Sequence, residues 1–262
     1  MNGVRGLIAS TLRLLRDETV THVGCATDHV IESFRNTLFA GYKTGAGIDP
    51  DLLAQFPLAE EALRTLGLVV WPMVEFEADD AIASAAHCYR DEFEQVVILS
   101  PDKDLAQCVT GHHVVTYDRQ RARTFDEAAV RAKFGVAPAS IPDLLALVGD
   151  AADGIPGIPG FGMKAAAAVL ARYVHIENIP ADGAQWDIAL RNACRLAAEL
   201  QMRKEEAMLF KRLATLRTDV PITETVDELR WRGVPRRRYH ALCSRLGLEA
   251  LAERPHRWAE MD

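Results

Sequence analysis

The stretch Glu75-Phe76-Glu77-Ala78-Asp79-Asp80 sets Glu77, Asp79 and Asp80 within four residues, directly ahead of a run of Ala and Ile with the composition of a buried helix. Like charges this close raise each other's pKa and resist removal from water. A fold accepts them beside a core only by full exposure to solvent or by binding a divalent cation. The same problem recurs at Asp28, at Asp102-Lys103-Asp104 and at Asp150-Ala151-Ala152-Asp153. Taken singly, these groups have ordinary explanations: a solvated helix start, a turn, a capped loop. Together, eight carboxylates on four segments predict an acidic metal site. An all-carboxylate donor set suits a hard cation such as Mg²⁺ or Mn²⁺ rather than zinc. The number of carboxylates is enough for two cations, the arrangement used for in-line phosphoryl displacement.

The pattern around these groups is α/β in the first half of the chain. Val4, Leu7, Ile8, Leu12 and Leu15 predict an amphipathic helix over 4–16, and Leu52, Leu53, Phe56, Ala59, Leu63 and Leu66 predict another over 52–66. Strands are expected over 21–27, 68–73, 96–99 and 113–117, with helices between them and one over 126–134. Val96-Val97-Ile98-Leu99 is a continuous apolar run, expected to be buried on both faces of a parallel sheet. Asp28 and Asp102 then fall at the carboxyl ends of strands, where such sheets bind ligands. From about residue 141 the texture is all-helical, with helices expected over 163–173, 186–217 (long enough for two) and 235–246, the last carrying Arg236, Arg237 and Arg238 in its first turn.

Charge and composition narrow the class. The net charge of −7 hides an asymmetry: residues 1–150 hold 13 Lys/Arg against 22 Asp/Glu, and residues 151–262 hold 17 against 15. An acidic first part beside a more basic second part suits an enzyme that gathers metal in one place and phosphates in another. No apolar run is long enough to span a membrane and no signal-peptide layout opens the chain, so a cytoplasmic protein is expected. Cys25, Cys88, Cys108, Cys194 and Cys243 are scattered without a C-x-x-C pair and read as reduced core thiols. The histidines show no ligand spacing, and nothing resembles a Ser-His-Asp or Cys-His triad.

The stretch 154–162, Gly-Ile-Pro-Gly-Ile-Pro-Gly-Phe-Gly, excludes regular helix or strand. Its glycine amides can approach a phosphate closely, and the following helix offers its N-terminus and Lys164 to an anion. Gly157, Gly160, Gly162 and Lys164 are therefore candidate contacts to a DNA backbone, independent of sequence. A plain structural turn is the alternative. Arg35 and Lys43 are candidate cations for steering a phosphodiester toward the metals, with ordinary surface charge as the alternative.

The ordered set of motifs resembles the flap endonuclease / 5′-3′ exonuclease family, including the 5′-nuclease domain of bacterial DNA polymerase I. The matching stretches are Ser33-Phe34-Arg35, Tyr42-Lys43, Glu77-Ala78-Asp79-Asp80, Asp102-Lys103-Asp104-Leu105, Gly149-Asp150 through Lys164, and Leu216-Arg217-Thr218-Asp219-Val220-Pro221. The resemblance implies a PIN-like α/β nuclease domain with a mostly parallel sheet over 1–138, followed by an all-helical helix-three-turn-helix DNA-binding subdomain over 139–262. It also implies Mg²⁺-dependent hydrolysis of DNA at 5′ ends or 5′ flaps, in DNA replication and repair, by a monomer. Carried over by position, Asp28, Glu77, Asp79, Asp80 and Asp102 serve a first metal, and Asp104, Asp150 and Asp153 a second. Lys43, with Arg35 nearby, polarises or positions the scissile phosphate. Backbone carbonyls of Leu147, Val148, Pro156, Ile158 and Phe161 are candidates for a K⁺ ion.

Two departures from the family pattern shape the alternatives. The family opens with a strand ending in Asp-Gly, whose Asp is a metal ligand and which lies mid-sheet; here Met1-Asn2-Gly3 leads almost at once into the first helix. The strands on either side are then expected to separate or re-pair. The family's Arg after the Tyr-Lys pair is replaced by Thr44-Gly45-Ala46-Gly47. The alternatives are thus a catalytically impaired DNA-structure-binding protein and a PIN-type ribonuclease, the latter opposed by the DNA-type hairpin.

Overall fold

The computed structural model describes residues 2–260. In chain order its elements are α1 (Asn2–Leu14), β1 (Gly24–Asp28), α2 (Phe34–Leu38), α3 (Pro50–Leu53), α4 (Phe56–Thr65), β2 (Val69–Met73), α5 (Ala78–Tyr89), β3 (Val96–Ile98), β4 (Val114–Asp118) and β5 (Arg123–Phe125). Then follow only helices: α6 (Glu127–Phe134), α7 (Ile141–Val148), α8 (Met163–Tyr173), α9 (Ala193–Met202), α10 (Lys204–Ala214), α11 (Val226–Leu229), α12 (Arg236–Leu246) and α13 (Glu249–Ala252). The chain forms two compact units, each assembled from separated stretches: one from Met1–Ser33, Gly45–Ile82 and Pro221–Asp262, the other from Phe34–Thr44 and Ala83–Val220. Among the described residues no helix is long and apolar enough to cross a membrane.

The first unit is built on the apolar face of α1. Val4, Ile8, Leu12 and Leu15 pack with Ala62, Leu63 and Leu66 of α4 and its C-terminal turn, and with Trp231, Val234, Tyr239 and Leu242 from the end of the chain. Each such side chain contributes about 1.5–3 kcal/mol when fully buried. Trp231 Nε1–H donates to the Leu66 carbonyl at 3.0 Å and the Tyr239 hydroxyl to that of Leu251 at 3.0 Å, so the polar atoms of this core are satisfied. β1 and β2 form a two-stranded parallel sheet in which Asp28 pairs with Met73. The single helix expected over 52–66 is two, α3 and α4. Pro57 lacks the N–H that a continuous helix needs, and sits in the first turn of α4 where no such bond is required.

The second unit holds a three-stranded sheet, β3 parallel to β4 and β4 antiparallel to β5, the last a strand that no sequence pattern marked. Its main core is helical: Ile141, Leu144 and Leu147 of α7, Val169 and Leu170 of α8, Leu196 and Leu200 of α9, and Phe210 and Leu213 of α10. The parallel sheet expected from the sequence is thus present as two small sheets. β1 and β3, the strands expected to lack a partner between them, keep one ladder partner each. β3 is not buried on both faces: Ile98 is 4% exposed, but Val97 and Leu99, which share the opposite face, are 46% and 38% exposed. The apolar run reported its strand correctly and its environment wrongly, because one face lacks a covering layer. All five cysteines are free, but Cys88 and Cys194 are exposed and only Cys243 is buried, so they are not uniformly core thiols.

Candidate metal centre

Each unit carries its own set of carboxylates. In the first, Asp28 ends β1 and its Oδ1 accepts the Ala78 N–H at 2.7 Å, which fixes the start of α5. Glu77 is 5% exposed and its Oε1 accepts from the Ser33 hydroxyl at 2.7 Å. Asp80, with no exposed surface, accepts the Glu77 N–H at 3.0 Å through Oδ2, as a residue in the first helical turn does when it caps backward. Asp79 lies in the same turn, half-buried. The helix N-terminus stabilises this negative charge.

The second unit brings Asp104, Asp150 and Asp153 together, with one carboxylate oxygen of each within 4.8 Å of the others. The local chain explains the first of them. The Asp104 N–H donates to Asp102 Oδ1 at 2.9 Å, a turn that leaves Asp102 exposed and sends the Asp104 side chain inward to 6% exposure. Asp150 follows the C-terminus of α7, where Gly149 adopts φ 88°, and it is held by two reciprocal backbone hydrogen bonds with Ile155 at 2.8 Å. Asp153 closes the same loop. Next to it Gly154 adopts φ 73°, and any side chain there would collide with the Gly41 carbonyl.

Two ammonium groups flank this trio. Lys103 Nζ donates to Asp150 Oδ2 and lies 4.0 Å from Asp104 Oδ1. Lys43 Nζ lies 3.0 Å from Asp153 Oδ1, and the Lys43 N–H donates to the Asp153 carbonyl at 3.1 Å. Burial works against the Lys103 charge, but the hydrogen bond to Asp150 and the charges of Asp104, Asp150 and Asp102 hold its pKa above the usual value. Burial, and then the charges of Asp102 and Asp153, push Asp104 up to about 8 despite the opposing effect of Lys103. Asp104 Oδ1 is buried and has no hydrogen-bond partner. A buried carboxylate oxygen without a donor, between two further carboxylates, is a donor set that fits a hard cation.

Arg35 lies in α2, in the second unit. It is 1% exposed; its guanidinium donates to the Leu213 carbonyl at 2.8 Å and the Thr215 carbonyl at 3.1 Å, where α10 ends. It therefore anchors the exit of α10 from the interior and is not presented to solvent. Arg35→Met is expected to cost about 2–4 kcal/mol, since it strips donors from buried carbonyls, and urea unfolding followed by far-UV circular dichroism measures the loss. In the hairpin, Gly157 and Gly160 adopt φ 76° and 88°, and a Cβ at Gly157 would lie 2.6 Å from the Gly149 nitrogen. Gly162 has open space around it at the N-cap of α8, with Lys164 exposed in the first turn. Arg195, which no sequence motif marked, places both guanidinium Nη atoms 3.5 Å from where a Cβ on Gly160 would stand. Of the carbonyls suggested for K⁺, that of Leu147 accepts the Ile158 N–H at 2.8 Å and that of Ile158 the Phe161 N–H at 3.1 Å. Val148 and Pro156 line an open pocket of about 420 Å³ beside Asp150.

Known families match the chain as two parts that follow each other in sequence. Residues 1–135 match the model of the 5′-3′ exonuclease N-terminal resolvase-like domain, and residues 136–237 that of the 5′-3′ exonuclease C-terminal SAM fold. The chain is 33% identical over 257 residues to DNA polymerase I of Bacillus caldotenax, a match that takes in 97% of this chain and 29% of the polymerase. It is 35% identical over 193 residues to the 5′-3′ exonuclease of Buchnera aphidicola, covering 73% of this chain and 67% of that protein. The chain thus spans less than a third of the polymerases it matches. Among solved structures, T5 5′-exonuclease with divalent metal ions (zinc) bound superposes with a TM-score of 0.69 at 19% identity over 82% of each chain. The catalytic core of Rad2 in complex with DNA substrate gives a TM-score of 0.58 at 15% identity over 92% of this chain and 79% of the other. The fold is that of a resolvase-like PIN domain joined to a SAM-like helical domain. The chain belongs to the 5′-3′ exonuclease family.

Proposed function

We propose that the chain hydrolyses phosphodiester bonds of DNA near 5′ ends or at 5′ flaps, with divalent cations held by its carboxylates. The observation that carries this reading is the trio Asp104, Asp150 and Asp153, whose buried Asp104 Oδ1 lacks a donor, with the Lys43 ammonium at its edge. Asp104, Asp150 and Asp153 hold one cation, and Asp28, Glu77, Asp79 and Asp80 form a separate carboxylate set for another. A divalent ion in such a site neutralises charge on the transferring phosphoryl oxygens and lowers the pKa of water.

The chain's own groups supply the rest. Lys43, 29% exposed, reaches a phosphate oxygen while its backbone stays tied to Asp153, so the cation and the carboxylates keep a fixed spacing. The glycines of 154–162 let the duplex backbone approach, and the α8 N-terminus, Lys164 and Arg195 meet its charge. Lys164→Ala and Arg195→Ala are each expected to weaken DNA binding several-fold at low salt. Each should also reduce the slope of log K against log salt by about 0.9 for every phosphate it ceases to neutralise. Fluorescence anisotropy of a labelled flap duplex over a salt series reads both quantities.

The proposal is tested by incubating the chain with a 5′-flap duplex and Mg²⁺. Cleavage at the flap junction or processively from the 5′ end is the expected result. Binding without cleavage overturns it in favour of a DNA-structure-binding protein, and preferential cleavage of single-stranded RNA overturns it in favour of a ribonuclease.

A further inference from the structure

Lys103 stands between its chain neighbour Asp104 and Asp150, which lies 47 residues further along, just past α7. The Asp102–Asp104 turn aims Asp104 inward and Lys103 across to Asp150, so the ammonium occupies part of the space that the trio's oxygens enclose. A cation ligated by these oxygens sits roughly 2.0–2.6 Å from each. Asp150 Oδ2 already accepts the Lys103 ammonium, and Asp104 Oδ1 is 4.0 Å from the same nitrogen. A dication and an ammonium sharing these oxygens would lie only a few Å apart and repel strongly in a half-buried setting. The lysine has a way out, since its side chain is 42% exposed and its stem is flexible.

We propose that Lys103 is a resident counter-cation of the Asp104–Asp150–Asp153 trio, which holds the carboxylates together without metal and must swing out when a divalent cation enters, thereby setting the cation affinity. This rests on the reading that the trio holds a cation. Lys43 does not play the same part, because its ammonium meets Asp153 at 3.0 Å while its own backbone N–H is tied to the Asp153 carbonyl. Lysine suits a displaceable role: it is a point charge held by one hydrogen bond here, where an arginine fork would grip a carboxylate with two.

The test is Mn²⁺ binding to the full chain without DNA, followed by the spin resonance of free Mn²⁺, together with mass-spectrometric footprinting of lysine acetylation. Lys103→Met is expected to tighten the Asp150-dependent Mn²⁺ site about tenfold, and Lys103→Arg to weaken it several-fold. Lys133→Met, which removes a charge from exposed α6, changes it less than twofold. In the unmutated chain, saturating Mg²⁺ raises the acetylation rate of Lys103 at least fivefold and leaves that of Lys133 unchanged. The inference is overturned if Mn²⁺ binds at a site abolished by Asp150→Asn yet with the same affinity in Lys103→Met, or if Lys133→Met tightens binding equally. An unchanged acetylation rate of Lys103 likewise overturns it. Absence of any Mn²⁺ component that Asp150→Asn removes, in both the unmutated chain and Lys103→Met, instead overturns the cation site itself, and the inference with it.

Discussion

Asp104→Asn combined with Asp150→Asn is expected to lower cleavage of a 5′-flap duplex by about 10³-fold or more, while the metal-free protein stays folded. The loss follows from removing two of the three oxygen donors that converge in the second unit, together with the transition-state charge stabilisation they make possible. The folding claim follows from the electrostatics of Asp104. Its pKa is raised in the fold, so above the usual carboxylate range folding must either take up a proton at Asp104 or bury its charge, and the contribution there is unfavourable. A neutral isostere removes that cost, while Asp150→Asn gives up the ion pair with Lys103, so the metal-free melting temperature of the double variant should stay within a few degrees of that of the unmutated chain. The same variant should lose the stabilisation that Mg²⁺ gives, about 2.7 kcal/mol at a hundredfold excess over Kd. Single-turnover cleavage and thermal melts with and without Mg²⁺ check the three statements separately. Cleavage within tenfold of the unmutated rate would show that the trio is not the reaction's cation site.

Lys211→Met is expected to destabilise the fold by about 3–5 kcal/mol, the largest effect on stability foreseen outside the candidate site. Asp143, in the first turn of α7, has no exposed surface, yet it is central to a polar network. Its Oδ1 accepts the Ile176 N–H at 2.8 Å and the Lys211 ammonium at 2.9 Å, and its Oδ2 lies 2.9 Å from His175 Nδ1. Lys211 in turn pairs with Glu177 at 2.7 Å. Removing the lysine leaves a fully buried carboxylate without its principal counter-charge, which is the costly way to break a buried pair. Replacing both Asp143 and Lys211 by apolar residues of similar shape should recover much of the loss.

The same pair makes stability depend on pH in a definite direction. Burial is the largest influence on Glu177 and opposes its ionisation, but the hydrogen bond from Lys211, the Glu177 backbone N–H and the charges of Lys211 and His175 together outweigh it and lower the pKa; burial likewise opposes the Lys211 charge most, but the bonds to Glu177 and Asp143 and their charges together outweigh it and raise the pKa. The pair therefore stabilises fully between the ordinary Glu and Lys values of 4.5 and 10.5. Its contribution is lost as pH falls through the lowered Glu177 value or rises through the raised Lys211 value. The gap in urea midpoint between the unmutated chain and Lys211→Met should thus narrow on acidification below about pH 4.

Much of the helical framework was legible because its signals are local. The Ala-rich run after the glycine hairpin is a helix over the residues expected, Met163–Tyr173, and the apolar spacing of 4–16 and 235–246 reports α1 and α12 within one or two residues. The one helix expected over 52–66 failed for an equally local reason, Pro57, which was present to be read. The candidate site was legible as a set of residue types, since carboxylates beside apolar runs demand either water or a cation wherever they occur. Arg35 was read for its charge and its neighbourhood in sequence; that its guanidinium also donates to carbonyls 178 and 180 residues away was not legible there.

What the sequence determined by itself is the alternation of strands and helices, the hairpin that only glycine and proline allow, and the supply of acidic groups. These depend on backbone propensity and on side-chain chemistry within a few residues. Which acids meet, which cation meets which acid, and which apolar face stays uncovered were decided by tertiary structure alone. Lys103 reaches Asp150, Asp143 reaches Lys211, and Val97 is left exposed because of the segments that arrive beside them. Burial and Coulomb energy are set by distances through space, and no periodicity along the chain encodes them.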